Sequence, residues 1–404
     1  MPCTVGGFEL TERMSPVEKA DKKKSGKWRQ HLPSVFFLLI GAVCGILIVE
    51  FFWQLKAADN TTVELILTGA LYLMGIYIAL FLQIIIHETG HLLFGLMTGY
   101  KFSSFRIGSY MWIKKGEHIH FSRLSLAGTG GQCLMAPPEF VNGRIPFALY
   151  NMGGSLLNLA ASLLFLGLFF LFRNSILVSG LCIIAAQVGF SFALVNGIPM
   201  RLGMVDNDGY NALSLGKNPE ALRAFYLQLK IHEELLKGVR IKDMPEEWFV
   251  APSVNNEKNS LVTAISVMAC NRLMDAKDFE KADDMMKTLI ASDSGLVGLY
   301  RSLLTVDRIY CELIGTNRPE MLNLMLDKSL KNFMKTIKNF PSILRTQYAY
   351  ALLAEKDGIK AEQFKRQFEK VALRYPHPVD IESERELMEV AETRQAATIT
   401  DHTS

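Results

Sequence analysis

The chain has 404 residues, of which 50% are hydrophobic and 21% are charged. This composition is too apolar for an ordinary soluble protein of this length, and the length suggests two or three structural units. The net charge of +3 gives no reason to expect a nucleic-acid partner. The six cysteines are scattered and form no Cys-x-x-Cys pair, which argues against a disulfide scaffold and indicates buried or reduced thiols.

Residues 1–34 form a polar, basic segment that precedes an apolar stretch from residue 35 to residue 53. This stretch is longer than the apolar region of a typical signal peptide, and it ends in Phe51-Phe52-Trp53 with no small-residue cleavage site. We therefore expect a retained signal anchor. By the positive-inside rule, the basic flank places the N-terminus in the cytoplasm. The basic residues of the flank are Lys19, Lys22, Lys23, Lys24, Lys27 and Arg29.

Hydropathy predicts four membrane spans, at residues 35–53, 65–97, 147–172 and 176–198. As a helix, the second span would be about 50 Å long, against a hydrocarbon core of about 30 Å. It must therefore tilt, break near Gly75 or Gly90, or project beyond the bilayer. If it crosses once, the loop from residue 98 to residue 145 and the C-terminal region are cytoplasmic. The basic residues of that loop agree, namely Lys101, Arg106, Lys114, Lys115, Arg123 and Arg144.

The loop at residues 100–135 has the character of β-structure. Residues 100–113 and 117–126 alternate, and they are rich in aromatic and β-branched side chains on either side of Lys114-Lys115-Gly116. This pattern predicts a small β-hairpin beside the membrane. An open strand edge there could hold an extended substrate by strand addition, or the hairpin could simply cover the helices. His118 and His120 share one strand face and are interpreted as surface histidines.

After residue 215 the sequence becomes charged and helically periodic, which predicts a second, cytoplasmic all-α domain at residues 216–394. Residues 268–290 and 350–371 resemble degenerate tetratricopeptide-type helical hairpins, although an ordinary helical bundle is an alternative. Residues 395–404 form a polar tail. The predicted fold is thus a multi-span α-helical membrane protein, with a membrane domain at 35–215 that carries the β-hairpin region, followed by a soluble helical domain.

The strongest chemical signal is the sequence His87-Glu88-Thr89-Gly90-His91, which continues an apolar run that begins at Leu65. Two histidines four residues apart share one helix face, so both imidazoles can ligate a single Zn²⁺ while the glutamate acts on a water molecule. The five-residue pattern also arises by chance. Its place within an apolar span favours the metal interpretation, because unused ionisable side chains in a membrane segment are costly.

A catalytic zinc usually has three protein ligands, so one more ligand is needed. The fourth span ends in Asn196-Gly197-Ile198-Pro199, and Asp206 and Asp208 follow it. In the single-crossing topology both carboxylates lie at the same membrane face as the histidine pair. Either aspartate could be an ordinary loop cap, but the nearby histidines favour a metal ligand.

Three motifs follow one another along the apolar part of the chain. They are His87-Glu88-Thr89-Gly90-His91, then Gly153-Gly154-Ser155-Leu156-Leu157-Asn158, and finally a span that ends in Asn196 and Pro199 before Asp208-Gly209. In this order they resemble the site-2 protease family of intramembrane zinc metalloproteases (peptidase M50-like). The resemblance covers about residues 65 to 215, and it leaves the N-terminal anchor and the C-terminal helical domain outside.

The resemblance implies a role for each matching residue. His87 and His91 would be zinc ligands, Glu88 the catalytic acid/base, and Asp208 the third ligand. Asn158 and Asn196 would have supporting roles near the substrate backbone. The chain departs from the family pattern in one respect, because Asp208 comes twelve residues after Asn196 where the family commonly has about eight. This leaves Asp206 as a competitor for the third ligand position.

The resemblance therefore implies an intramembrane zinc metalloprotease that cleaves peptide bonds in or near transmembrane segments of membrane-anchored substrates. Such cleavage would serve regulated intramembrane proteolysis or the processing of a peptide precursor. The compact architecture resembles bacterial members, so we expect a multi-pass protein of the bacterial cell membrane with both termini cytoplasmic. The alternative is a non-catalytic, zinc-containing membrane protein whose helical domain binds a partner. A protein partner of that domain is compatible with either function.

Overall fold

The structure is a computed structural model that describes residues 61–124, 130–201, 206–250, 258–292 and 294–403, together with the isolated positions 42 and 45. From residue 61 onward these residues belong to one compact unit, Val49–Ser404. The first three helices described are α1 (Thr62–Met97), α2 (Ala148–Leu171) and α3 (Ile176–Gly197). The later helices are α4 (Asp208–Lys217), α5 (Pro219–Leu236), α6 (Ser260–Asp275), α7 (Phe279–Ala291), α8 (Gly298–Ile314), α9 (Pro319–Met325), α10 (Lys328–Thr336), α11 (Pro341–Ala349), α12 (Gly358–Ala372) and α13 (Pro378–Thr403).

Helices α1, α2 and α3 are each long and apolar enough to cross a membrane. They match three of the four predicted spans, and the predicted span at residues 35–53 lies outside the described residues. Helix α1 has 36 residues, a length of about 54 Å, and it continues without a break through Gly75 and Gly90. The predicted alternative in which this span breaks near Gly75 or Gly90 is therefore wrong. The helix must either tilt in the bilayer or project beyond it.

The three apolar helices pack against one another through polar groups as well as apolar ones. Helix α1 begins with a capping box, in which Thr61 and Glu64 each bind the other's backbone N–H. Farther along, the Tyr72 hydroxyl donates to the Ile176 carbonyl at 2.9 Å. Between α2 and α3, the Ser162 hydroxyl donates to the Ala186 carbonyl at 2.5 Å. Such bonds satisfy polar groups that lipid cannot, and they fix how the helices face one another.

The loop between α1 and α2 forms a four-stranded antiparallel sheet instead of a single hairpin. Its strands are β1 (Lys101–Ile107), β2 (Tyr110–Lys115), β3 (His118–Arg123) and β4 (Gly131–Ala136), in the spatial order β3-β2-β1-β4. The predicted turn after Lys115 is present, because Lys115 pairs with His118. The prediction of one strand through residues 100–113 is wrong. Gly108, at a φ of 58°, turns the chain between β1 and β2, and glycine accepts this left-handed conformation without strain.

Strand β4 occupies the sheet edge next to the apolar helices, and it pairs only with β1 among the described strands. At the opposite edge, β3 has His118 and His120 exposed to solvent, as expected for surface histidines. Tyr150, at the start of α2, donates its hydroxyl to the Cys133 carbonyl at 2.7 Å and so ties α2 to β4. The sheet is thereby attached to the helices on the side where β4 runs.

The C-terminal helices share a hydrophobic core with the sheet and with α2. Buried side chains from the sheet, α2, α5 and α6 form this cluster, among them Cys133, Tyr150, Phe225 and Ile265. The predicted boundary at residue 216 and the cytoplasmic location of the helices beyond it stay predictions. The structure adds that α5 and α6 pack directly on the elements that precede this boundary.

Helices α6 to α13 surround a second, larger core that includes Tyr310 and Phe368. Arg345 is buried within it, forms ion pairs with Asp307 at 2.5 Å and Glu384 at 2.8 Å, and lies 4.3 Å from the Tyr310 ring centroid. A buried guanidinium is tolerable only with such compensation. The resemblance to tetratricopeptide hairpins stays a prediction. The final helix, α13, continues to Thr403, through most of the predicted polar tail.

Two buried histidines connect the sheet to the C-terminal helices. The His232 Nε2 atom of α5 shares a hydrogen bond with the Ser104 hydroxyl of β1 at 3.3 Å, and the His232 ring centroid lies 5.2 Å from that of His377, just before α13. Burial lowers the pKa of His232 to about 4. Burial, together with His232 and Lys115, lowers the pKa of His377 to about 3. Both imidazoles are therefore neutral in the folded protein near neutral pH.

Acidification is expected to destabilise the fold through His232 and His377. Above the ordinary histidine pKa of 6.5 both rings are neutral in the folded and unfolded states and add no pH dependence. As the pH falls below that value, both histidines become protonated in the unfolded chain. In the folded protein they stay neutral until the pH approaches about 4 for His232 and about 3 for His377, so folding loses stability. The loss amounts to roughly 2 kcal/mol per histidine at about pH 5.

The measurement compares melting temperatures of the detergent-solubilised wild type and a His232→Gln/His377→Gln variant across this pH range. Burial, Glu384 and Asp275 raise the pKa of Asp380 to about 7, so Asp380 acts in the opposite direction, but it is present in both proteins. The double variant should lose less of its melting temperature on acidification than the wild type. His118→Gln, at an exposed position, is the control. Equal pH slopes for all three proteins would contradict the prediction.

Candidate metal centre

One nitrogen from each of His87 and His91 and one oxygen from Asp208 converge on a single point. The Asp208 Oδ2 atom lies 3.0 Å from His87 Nε2 and 3.3 Å from His91 Nε2, and the two Nε2 atoms are 3.2 Å apart. His87 and His91 are 8% and 9% exposed. Among the described residues this is the one cluster of histidine, cysteine and acidic side chains whose ligand atoms could hold a metal ion.

The opposite nitrogen of each imidazole is held by an acceptor. His87 Nδ1 donates to Asn158 Oδ1 at 2.8 Å, and His91 Nδ1 donates to the Tyr150 carbonyl at 2.7 Å. These partners place the ring proton on Nδ1, so Nε2 of each ring carries a lone pair. Two lone pairs and a carboxylate oxygen therefore face one another, an arrangement that a cation stabilises. The donor set of two imidazoles and one carboxylate suits zinc.

A polar network inside the helices fixes the His87 ring. Asn158 of α2 is fully buried and donates its amide N–H groups to the Gln83 carbonyl at 3.0 Å and to Gln83 Oε1 at 2.6 Å. Gln83 in turn donates to the Ala185 carbonyl of α3 at 3.3 Å. The two polar atoms of Asn158 are thus used within the protein, which places it as a support for His87. Gln83 was not a candidate from sequence, because its partner lies 75 residues away.

Asp208 reaches the histidines because the preceding link folds back on itself. Arg201 and Asp206 form an antiparallel bridge, and the Asn207 N–H donates to the Met200 carbonyl at 3.3 Å. Asn207 then caps α4 by accepting from the Tyr210 N–H, and it donates to the Val195 and Ile198 carbonyls at 2.7 and 2.6 Å. The pairing of Arg201 with Asp206 brings the two ends of the longer link together, and Asp208 begins α4 beside the end of α3.

The pKa of the Asp208 carboxyl is well below its usual range. Burial by itself raises this pKa, but a positive charge on the His91 and His87 rings, when they are protonated, outweighs burial. A cation held at the same point would lower the pKa in the same direction. The ionised form is the one that binds a metal.

Asp206, the competing aspartate, is engaged elsewhere. Its carboxylate accepts a short hydrogen bond from the Ser260 hydroxyl at the start of α6 and lies 3.5 Å from Arg201 Nε. Its side chain is 6% exposed. These contacts attach the link to the C-terminal helices, and Asp206 is absent from the converging ligand set. The structure thus separates two aspartates that the sequence spacing leaves equivalent.

Glu88 lines the same cavity as the three converging side chains, about 350 Å³ in volume. It is 7% exposed, and within the described part of the chain no hydrogen bond holds its carboxylate. Arg106 of β1 is buried nearby and donates to the Gly108 and Gly131 carbonyls at 2.6 and 3.1 Å. Burial lowers the pKa of Arg106, while the Glu88 charge opposes this shift. The sequence marks Arg106 only as one of the basic residues of the loop.

The cavity wall is built from several parts of the chain. Gly131 and Cys133 of β4 line it, and so do Phe225 and Leu229 of α5. Asn196 also lines it, with its amide donating to the Phe192 carbonyl of its own helix at 3.0 Å. The structure therefore brings Asn196 to the cavity but not to the converging ligands, and its role near a substrate stays a prediction.

The comparison with protein families decides the assignment. The model of peptidase family M50 matches residues 75–370, well over half of the chain. The chain belongs to peptidase family M50. A search of curated proteins and a search of solved structures returned no match. The resemblance to the site-2 protease family seen in the sequence is thereby confirmed.

For this M50 peptidase, the match extends from α1 to α12 and covers most of the C-terminal helices as well as the apolar ones. M50 peptidases are membrane zinc metalloproteases, and three apolar helices agree with a membrane protein. The class of activity and the class of metal follow from the family.

Replacing Asn158 by leucine is expected to weaken zinc binding roughly 10–100-fold, because His87 would lose the acceptor that fixes its tautomer. Zinc affinity can be measured by competition with a chelator on the purified protein. Ser162→Ala is the control for the loss of a buried polar group on the same helix, because the Ser162 hydroxyl donates to the Ala186 carbonyl and Ser162 is not among the residues that line the cavity. Equal affinity in the Asn158 variant and the wild type would contradict the supporting role.

Replacing Gly154 by alanine is expected to displace the His87 ring and to reduce both zinc content and activity. A Cβ atom at position 154 would lie 2.5–2.7 Å from three atoms of that ring, closer than real contacts allow. Gly167→Ala on the same helix is the control, because a Cβ atom there meets nothing within 4 Å. Zinc content per protein, measured by mass spectrometry, should fall in the first variant only. A loss shared by both variants would point to general helix disruption instead.

Proposed function

We propose that this M50 peptidase hydrolyses peptide bonds in or near the membrane-spanning segments of anchored proteins or peptides. In this proposal His87, His91 and Asp208 hold Zn²⁺, and Glu88 is the catalytic acid/base. The supporting observation is the approach of Asp208 Oδ2 to within 3.0 and 3.3 Å of the two imidazole nitrogens, beside a buried glutamate. A structural zinc site has no need of such a glutamate, which favours a peptidase over a non-catalytic scaffold.

The metal and the glutamate would have different chemical roles in hydrolysis. A zinc ion held by the three side chains would supply Lewis acidity and lower the pKa of a bound water towards about 7. Glu88 faces the same cavity, so its carboxylate can take a proton from the attacking water. It then returns this proton to the departing amine. The carboxylate is suited to both steps because no described hydrogen bond to the protein occupies it.

The substrate must reach this cavity in an extended form. A membrane helix hides its carbonyls in hydrogen bonds between residues i and i+4, so it has to unwind locally before hydrolysis. Strand β4 lies at the sheet edge and lines the cavity next to Glu88. We propose that an unwound segment aligns along this edge, and helix-destabilising residues are expected near its cleavage site.

The proposed topology places both termini and the sheet in the cytoplasm, as the positions of the basic residues favour. Water would then enter the cavity from the cytoplasmic side. The C-terminal helices contribute to catalysis at least through packing, because Phe225 and Leu229 line the cavity. Recruitment of a substrate or a regulator by the outer helices stays a proposal.

The proposed function can be tested by enrichment of new protein N-termini from cells that express the wild type or an inactive variant. Termini within or beside predicted membrane spans should appear only with the wild type and should disappear when a zinc chelator is added to isolated membranes. If the two samples show the same set of termini, the proposed activity is wrong. The purified protein should also contain about one zinc per chain.

A further inference from the structure

A second cavity lies far along the sheet from the candidate metal centre, between β3 and the C-terminal helices. Its volume is about 480 Å³, within the range of small-molecule sites. The walls come from the end of β3, from the link between α10 and α11, and from the last turns of α12. The sheet order β3-β2-β1-β4 puts this cavity at the edge opposite to the one that lines the metal centre.

Four basic side chains line this cavity, and no acidic residue is among its described lining residues. The basic residues are Arg123, Lys338, Lys370 and Arg374, contributed by three separate parts of the fold. None of the four has an ion-pair partner among the described residues. All four side chains are exposed, so water weakens their mutual repulsion, and an anion bound among them would remove what is left of it.

The other basic residues of α12 all have carboxylate partners among the described residues. Lys360 pairs with Glu355 at 2.6 Å, Lys365 with Glu392 at 2.7 Å, and Arg366 with Glu362 at 2.9 Å. Lys370 and Arg374, at and just beyond the end of α12, have no carboxylate partner in the part of the chain that the structure describes. Two cations near the end of a helix can stabilise its dipole, but Lys338 and Arg123 belong to other elements and need a different explanation.

The remaining lining groups suit an oxyanion with an attached organic part. Asn339 and Gln367, which are hydrogen-bonded to each other at 2.9 Å, offer further amide donors. Phe340 and Tyr375, with ring centroids 6.4 Å apart, form an aromatic wall. Arginine forks match phosphate oxygens in pairs, and lysines add point charges. Four positive charges correspond to two phosphate groups better than to one carboxylate.

We propose that this cavity binds a phosphate-bearing ligand, either a soluble nucleotide or pyrophosphate compound or the headgroup of an anionic phospholipid. The ligand bridges the sheet and the C-terminal helices, which the Arg123 N–H already joins by donating to the Arg374 carbonyl at 3.1 Å. The Arg123 guanidinium also lies 5.2 Å from the Tyr110 ring centroid, a cation–π contact within the sheet. Occupancy therefore stabilises the sheet against the helices that carry it.

Binding is tested on the full-length protein in detergent and in lipid nanodiscs. The soluble probes are ATP and inorganic pyrophosphate, with sulfate and polyglutamate as competing anions. The lipid probe is phosphatidylglycerol, with phosphatidylcholine for comparison and retention measured by native mass spectrometry. We expect one of the two phosphate sources to bind and to raise the melting temperature, and the probe that does so identifies the source.

The decisive variant is Lys370→Gln/Arg374→Gln, and its control is Lys287→Gln/Lys328→Gln at exposed positions outside the cavity. Binding should weaken about tenfold or more for each charge removed from the cavity and should not change in the control. Lys338→Gln, on the link between helices, serves as a second cavity variant if the double variant fails to fold. The proposal is overturned if no phosphate probe binds, if polyglutamate alone binds, or if cavity and control variants respond equally.

Discussion

Replacement of Glu88 by glutamine is expected to abolish peptide-bond hydrolysis while leaving the zinc content unchanged. Glutamine has nearly the same shape, but it cannot take a proton from water or return one to the leaving amine. The three converging ligands do not include Glu88, so the metal should be retained. Loss of a catalytic acid/base typically costs about 10²–10⁴ in rate. The new N-termini produced in membranes and the zinc content of purified protein provide the two measurements.

Glu64→Gln is the matched control for this experiment. It makes the same change on the same helix, but Glu64 belongs to the capping box at the opposite end of α1. This variant should keep its activity and lose no more than a small amount of stability. If Glu88→Gln cleaves at the wild-type rate, Glu88 is not the acid/base. If Glu88→Gln loses its zinc as well, the absence of activity cannot be assigned to proton transfer.

Replacement of Asp208 by asparagine is expected to reduce zinc affinity strongly. Mutating a residue that hydrogen-bonds to a metal ligand typically costs roughly 10–100-fold in affinity, and loss of a ligand itself should cost more. The carboxylate oxygen that lies near both imidazoles would become a neutral amide oxygen, so the site would lose its one anionic donor. Activity should fall with zinc content. Excess zinc should then restore part of the activity, which distinguishes a ligand from a proton-transfer group.

Asp206→Asn offers a close comparison, since it makes the same change two residues earlier. Its carboxylate binds Ser260 and Arg201 instead of the histidines. We expect this variant to bind zinc like the wild type and to have a lower melting temperature, because it weakens a buried contact between the link and α6. Zinc loss in Asp206→Asn, with normal binding in Asp208→Asn, would reverse the assignment of the third ligand.

The sequence was sufficient to predict which side chains would meet at the candidate site, but not what supports them. The spacing of His87 and His91 follows from helix geometry alone, so their common face could be predicted. The Tyr150 carbonyl and the Gln83 side chain could not be predicted as supports, because they depend on how α2 and α3 pack against α1. No local pattern in the sequence encodes such contacts between distant residues.

The sheet shows a different limit. Alternation predicted β-structure at residues 100–126, but the same alternation continues through Gly108, where the chain turns. Strand β4 contains a short mixture of small and apolar residues with no clear period, so it was missed as a separate strand. The periodicity of apolar residues also predicts which side chains are buried, but it does not predict which other elements they pack against. For this reason Phe225 and Leu229 were assigned to another domain although they line the candidate site.

The bridge pairs Arg201 with Asp206, and Asn207 is anchored separately to Val195 and Ile198 by its own hydrogen bonds. The position of Asp208 is therefore determined by these paired and anchored residues, and not by how many residues join Arg201 to Asp206. Related chains could differ in length here and still present the aspartate in the same place. Because the bridge already brings Arg201 and Asp206 together, an epitope tag or a fluorescent label inserted between these two residues should leave Asp208 in place.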